Sequence, residues 1–182
     1  MFGISASVDN DVALTILSIG VDTAMNTVAD ACDKVADTVT ADDGVFIVEA
    51  MGREWGYLAM TSAVASGVGL VLFPEADRTE TQLVDSVIDA VLAESGLGGA
   101  QKVIAIKAEG IETRSDRLKE LIDEQLQRRT GRDLNDIETR VTVLGHVARG
   151  GWPSVFDRLP VSEVGNVAVR SLVDGAHRKM VA

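Results

Sequence analysis

The sequence is poor in cysteine, histidine, proline and aromatic residues, and each shortage closes off a class of protein. The single cysteine, Cys32, cannot form an internal disulfide, so the chain is not a disulfide scaffold. Only two histidines are present, and no Cys/His set has the spacing of a metal site. Three prolines and no Ser- or Pro-rich tract leave no obvious linker. Basic residues are also in deficit, 17 Lys and Arg against 28 Asp and Glu, for a formal charge of −11. Such a field repels nucleic acid and anionic membrane surfaces, which excludes a general role on either. No apolar run approaches the roughly 20 residues of a membrane helix. The opening MFGISASVDNDV lacks the basic n-region and apolar core of a secretory signal. It begins instead on apolar and turn residues, as though the chain opened inside a domain. The cysteine count suits a reducing, cytoplasmic setting.

What is present is ordinary for a globular chain: 182 residues, 46% hydrophobic and 25% charged. That length can bury roughly 70% of the unfolded surface. The charge is uneven. Residues 1–50 hold nine acids and one base, residues 51–100 seven and two, and residues 101–182 twelve and fourteen. An anion site therefore belongs in the second half.

Helical and strand patterns alternate along the chain. Residues 22–38 place Ala24, Val28, Ala31 and Val35 at helical spacing behind a capping-competent Asp22. Val45–Ala50 is short, apolar and β-branched, as a buried strand is. Glu54–Ala65 predicts a helix, Gly69–Phe73 a strand stopped by Pro74, and Thr81–Glu94 a helix with Leu83, Val84, Val87, Ile88, Val91 and Leu92 on one side. Lys102–Ala108 predicts a strand, Arg114–Arg129 a charged amphipathic helix, Arg140–Leu144 a strand, and a last helix starts near Ser154. Continuous apolar strands separated by helices imply an α/β fold, a doubly wound parallel sheet flanked by helices. GLGG at 96–99 lacks a following Lys-Ser/Thr and reads as a turn. Cys32 reads as a small core residue, and Trp55 and Trp152 as packing residues.

In such sheets sites form at the carboxyl ends of strands, in the loops leading to helices. Four loops qualify. Asp9 and Asp11 flank an amide and can orient a metal, supply a general base, or form an Asx turn. Met51-Gly52-Arg53 can anchor an anion through Arg53 or be a strand-to-helix turn. Glu109, after a strand, can accept from a sugar hydroxyl or cap a helix. GHVARGG is the strongest local signal: His146 and Arg149, bracketed by glycines, can converge on one phosphate, with Arg140 at the head of the preceding strand.

These loops, in this order, resemble the phosphofructokinase family. The matching blocks are SVDND (7–11), IGVDTAMNTVADACDKVADT (19–38), VEAMGREWGYLAM (48–60), LFPE (72–75), IKAEG (106–110) and TRVTVLGHVARGGWPSVFDRL (139–159). The resemblance implies a phosphofructokinase-like α/β fold, incomplete here. Residues 1–20 would be a remnant of the nucleotide lobe, 21–147 the fructose-6-phosphate lobe, and 148–182 a helical segment returning to the nucleotide lobe. It implies a kinase of glycolysis that moves a phosphoryl group to the 1-hydroxyl of fructose 6-phosphate. Asp9 would be the base, Asp11 would help place Mg2+ through water, and Arg53 would offset charge on the phosphoryl group. Ser7, Met51 and Gly52 would shape the sugar site and Glu109 bind a sugar hydroxyl. Arg140, His146 and Arg149 would hold the 6-phosphate, Arg140 reaching a neighbouring subunit's site.

Departures from the family pattern set further expectations. The glycine-rich GGDGS-type loop that binds the nucleotide phosphates has no counterpart in the sequence. Gly44 stands where many members carry an arginine for a partner subunit's sugar phosphate, and Ala36 and Gly69 where allosteric members carry effector-binding charges. Ala6 is not the lysine of pyrophosphate-dependent members, which leans toward ATP over pyrophosphate. Pro160 falls inside the last helix. The alternative to an active kinase is therefore a truncated, non-catalytic fragment or pseudoenzyme that binds sugar phosphate or pairs with a full-length homologue, and in either case a homo-oligomer or association with such a homologue is expected. Apolar surface is expected at both ends of the chain.

Overall fold

The structure, a computed structural model, describes residues 1–39, 44–96, 102–131 and 138–182. A short strand, β1 (Phe2–Ile4), precedes the loop to Gly20 and helix α1 (Val21–Val39). Then come β2 (Gly44–Ala50), α2 (Tyr57–Ser66), β3 (Leu70–Leu72), α3 (Glu80–Gly96), β4 (Lys102–Ala108), α4 (Ser115–Thr130) and β5 (Glu138–Val143). A 3₁₀ turn over Gly145–Arg149 leads to α5 (Val155–Val173) and a final strand, β6 (Lys179–Val181).

Four strands form one sheet in the order β3-β4-β2-β5, every pair parallel. Glu49 lies opposite Lys107 across β2 and β4, which fixes the register there. β1 and β6 form a separate two-stranded parallel sheet, and an isolated bridge between Ala6 and Ile19 closes the loop between β1 and α1. The main sheet is covered on both faces, as its unbroken apolar strands require. On one face Val45, Ile47, Leu72 and Val103 pack against Val84, Val87 and Ile88 of α3 and Leu118, Ile122 and Leu126 of α4. On the other, Val48, Ala50, Ile106 and Ala108 meet Ala24, Val28 and Cys32 of α1 and Leu58, Ala59 and Ala63 of α2. Cys32 is a core residue whose thiol burial pushes upward in pKa, and it makes no disulfide.

Several local expectations are corrected. Helix α2 begins at Tyr57, not Glu54, because residues 51–56 spend their amides on tertiary partners: Gly52 and Arg53 donate to Glu109, and Gly56 to Glu75. Asp22 does not cap α1; Gly20 and Thr23 amides donate to Asp157, far along the chain. Trp55 and Trp152 are 50% and 89% exposed rather than packed, since each lies in a loop leading to a helix. Leu92 is 40% exposed and stands outside the buried stripe of α3. Pro160 does lie inside α5, which continues through it. The turn expected at GLGG falls, beyond Gly96, outside the described residues. Large exposed apolar side chains gather toward the two ends, among them Leu14, Ile16, Phe156, Leu159 and Val173. No helix among the described residues is long and apolar enough to cross a membrane.

Candidate active site

Parallel strands β2 and β4 end side by side, and their exit loops meet. The Glu109 carboxylate accepts from the amides of Gly52 (3.2 Å) and Arg53 (2.8 Å), pulling the loop after β2 over the loop after β4. That contact demands small residues. A Cβ on Gly110 would sit 1.9 Å from the Arg53 carbonyl oxygen, and Gly52 has φ +145 with the Trp55 carbonyl 2.4 Å from an added Cβ. Arg53 itself occupies the left-handed region at φ 49, a conformation a long side chain adopts only when its surroundings impose it. The result aims the Arg53 guanidinium back across the sheet end, where Nε lies 3.1 Å from Asp9 Oδ2.

Asp9 comes from a loop that closes on itself. The Asn10 side chain accepts from the Ser18 amide (2.8 Å) and donates to the Ile16 carbonyl, with Asn10 at φ 52. The Ile19 amide bonds Ser5 at the base of the same loop, and the Ser7 hydroxyl donates to Asp11 (2.8 Å) and accepts from the Asp9 amide. Asp9 is 4% exposed, and its second oxygen, Oδ1, is buried with no hydrogen-bond partner among the described residues. An unsatisfied buried carboxylate oxygen is costly, so a native one calls for a reason. Burial pushes the Asp9 carboxyl above its ordinary range; Asp11 and Glu109 add to the rise, while Arg53 and Arg149 pull it back.

A cavity of about 340 Å³ opens at this point, lined by Ser7, Val8, Asp9, Ile19, Arg53 and Arg149 with Ala6. Four of the residues singled out in the sequence are thus brought together from three distant segments. Arg149 closes the 3₁₀ turn after β5 and faces the cavity. The rest are arranged differently. Met51 is buried in the α1–α2 core, and Gly52 and Glu109 are bonded to each other outside the cavity lining. His146 is exposed on the 3₁₀ turn and does not line the cavity. Arg140 is the third residue of β5, its guanidinium 5.5 Å from the Phe46 ring centroid and its Nε bonded to Glu138, away from the sheet end. Asp11 is exposed beside Asp9.

Three participants went unnoticed in the sequence. Asn10 carries a local signal, since Asn tolerates left-handed backbone and bonds its own loop. Lys107 carries another: a cation inside an apolar strand, its side chain 1% exposed, its ammonium 3.1 Å from Glu49, whose carboxylate also accepts from Ser115. Asp157 carries none, because its partners lie 134 and 137 positions away.

The family model described as phosphofructokinase matches residues 1–172. The chain belongs to the phosphofructokinase family. It is 38% identical over 181 residues to the ATP-dependent 6-phosphofructokinase of Natranaerobius thermophilus, covering 100% of this chain and 52% of that protein. With the ATP-dependent 6-phosphofructokinase of Halalkalibacterium halodurans it shares 39% over 173 residues, covering 95% and 50% respectively. The structure of phosphofructokinase from Saccharomyces cerevisiae superposes with a TM-score of 0.79 at 27% identity, over 95% of this chain and 22% of that one. The chain therefore spans about half the length of the curated relatives it matches, and its α/β sheet is the phosphofructokinase fold.

Proposed function

We propose that this chain forms the acceptor side of a 6-phosphofructokinase, holding fructose 6-phosphate for phosphoryl transfer to its 1-hydroxyl in cytoplasmic glycolysis. One observation carries the reading: the buried Asp9, whose Oδ1 has no hydrogen-bond partner among the described residues, lines one cavity with Arg53 and Arg149. A sugar hydroxyl donating there would satisfy the orphaned oxygen. Primary alcohols barely ionise near neutrality, so a positioned base is needed as the new O–P bond forms. The proton passes to Asp9 while the bond from phosphorus to the leaving nucleotide oxygen breaks. Arg53 holds Oδ2 and so orients the carboxylate, and its largely exposed guanidinium can also offset phosphoryl charge. Arg149, with His146 from the same turn, would grip the 6-phosphate, and Glu109, Met51 and Gly52 would border the sugar. Arg140, away from this cavity, would serve a neighbouring subunit in a homo-oligomer.

The relatives' names favour ATP as donor over pyrophosphate. For Mg2+, the described residues gather no group of three or more potential ligands. Magnesium is commonly held by one or two carboxylates plus substrate phosphates, and the exposed Asp11 fits that limited part. When bound, the ion would neutralise charge on the transferring phosphates.

Calorimetry with fructose 6-phosphate tests the acceptor site: Arg149→Ala should weaken binding about 10- to 100-fold, as expected for a charge-assisted contact of about 1.5–3 kcal/mol. Unchanged affinity in that variant removes the reading. A coupled assay for fructose 1,6-bisphosphate then asks whether the chain turns over by itself. The exposed Phe156, Leu159 and Val173 favour a second reading, a sugar-phosphate-binding chain that works paired with a full-length homologue. Turnover that appears only on adding such a homologue selects it.

A further inference from the structure

The two helices that follow the site loops are tied together by one carboxylate. Asp157, 4% exposed in the first turn of α5, accepts from the Gly20 amide through Oδ1 (2.8 Å) and from the Thr23 amide through Oδ2 (2.8 Å). The Thr23 hydroxyl also donates to Oδ2 and accepts in turn from the Ser154 amide (3.0 Å), while the Ser154 hydroxyl caps α5 by accepting from the Asp157 amide. The start of α1 is thus capped from α5 at the Gly20 and Thr23 amides, while the Val21 amide donates to the Ser18 carbonyl of its own loop. Asp157 lines a cavity of about 470 Å³ whose wall, made by Val8, Ile19 and Arg149, is also the wall of the Asp9 cavity. α1 begins directly after the loop bearing Asp9, and α5 begins six positions after Arg149.

From this arrangement we infer that Asp157 is a positioning residue that sets Arg149 against Asp9, by clamping the starts of the two helices that follow their loops. The inference rests on the acceptor-site reading above. Thr23 and Ser154 are the other members of the clamp. Asp157→Asn would replace one accepting oxygen by an NH2 group aimed at backbone donors, breaking the clamp while keeping the shape.

Amide hydrogen exchange on the ligand-free chain tests it first. In Asp157→Asn the Ser18, Ile19, Gly20 and Thr23 amides should exchange about fivefold faster, the ratio matching one lost cap, with Val45–Val48 of β2 unchanged. Fructose 6-phosphate calorimetry follows. Asp157→Asn should weaken binding, and Asp157→Asn with Arg149→Ala should bind no more weakly than Arg149→Ala alone, because the clamp acts through that arginine. A residue that only holds the fold together would give additive losses. Where Asp157→Asn fails to fold, Thr23→Val, which deletes the hydroxyl link between Asp157 and the Ser154 amide and keeps both amide bonds to Asp157, carries the affinity criterion. Unchanged exchange in residues 18–23, or strictly additive affinities, overturns the inference. A wild-type chain that does not bind fructose 6-phosphate overturns the acceptor-site reading instead, and the exchange result still decides whether Asp157 clamps the two loops.

Discussion

Replacing Lys107 with methionine keeps an unbranched four-atom stem, with sulfur in place of Cδ, and deletes the ammonium group. The perturbation is well defined because Lys107 is 1% exposed and paired across the β2–β4 register with Glu49 at 3.1 Å. After the substitution Glu49 keeps, among the described residues, only the Ser115 hydroxyl. Removing one partner of a buried pair leaves an uncompensated charge and costs about 3–5 kcal/mol. Glu49 is 19% exposed and retains some water, which favours the lower end. At about 2–4 °C per kcal/mol for a chain of this size, the midpoint of thermal unfolding should fall by roughly 6–12 °C. Such a loss is a large part of a typical total of about 5–15 kcal/mol.

Circular dichroism melts of three proteins separate this account from simple loss of packing. Wild type, Lys107→Met, and Lys107→Met with Glu49→Leu should rank with the single variant lowest. The double variant has no stranded carboxylate and buries more apolar area, so it should recover most of the loss or surpass wild type. If the single variant melts within about 2 °C of wild type, the pair is not a desolvated one. If the double variant is no more stable than the single, the loss came from packing and the charge argument fails.

Asp9→Asn should cut turnover by about 10²- to 10⁴-fold, the usual contribution of a general base, in whatever assembly proves active. It should also stabilise the fold at neutral pH: with a folded pKa raised from 3.8, ionised Asp9 is a cost that appears as pH rises through the raised value and is absent below 3.8, so the gain of the variant over wild type should grow across that window and then level off in pH-dependent melts. A gain that shrinks with rising pH refutes the sign. Gly110→Ala, which drives a Cβ to 1.9 Å from the Arg53 carbonyl, should cost about 1–3 kcal/mol in denaturant unfolding and weaken fructose 6-phosphate binding together, because the Arg53 loop must move. Pro160→Ala should raise stability by up to about 3 kcal/mol by restoring an interior helix hydrogen bond in α5; a lower unfolding midpoint in denaturant would count against an unkinked cost at that position.

The layered sheet was legible because burial on both faces leaves a direct mark on composition. Val45–Val48 and Val103–Ile106 are continuous apolar runs only because α1 and α2 cover one side and α3 and α4 the other. β1 and β6 left no such mark: each is three residues long and mostly exposed, so nothing selects an apolar pattern. The start of α2 was misplaced for a related reason. EWGYLAM is compatible with helix throughout, and what excludes residues 51–56 is a set of tertiary acceptors, Glu109 and Glu75, that no local window contains.

The site divides along the same line. Its loops could be found by rule, since parallel strands deliver their exits to one end of the sheet. Which groups meet there depends on backbone that propensity disfavours. Arg53 reaches Asp9 only from a left-handed φ, held by Glu109 and made possible by the missing side chain of Gly110. Asp157 reaches α1 across 134 positions, and a carboxylate in the first turn of α5 looks locally like an ordinary favourable charge at a helix start. Its two backbone partners turn that ordinary charge into a link between the elements next to Asp9 and Arg149, which is why the proposed control over their separation falls to a residue belonging to neither loop.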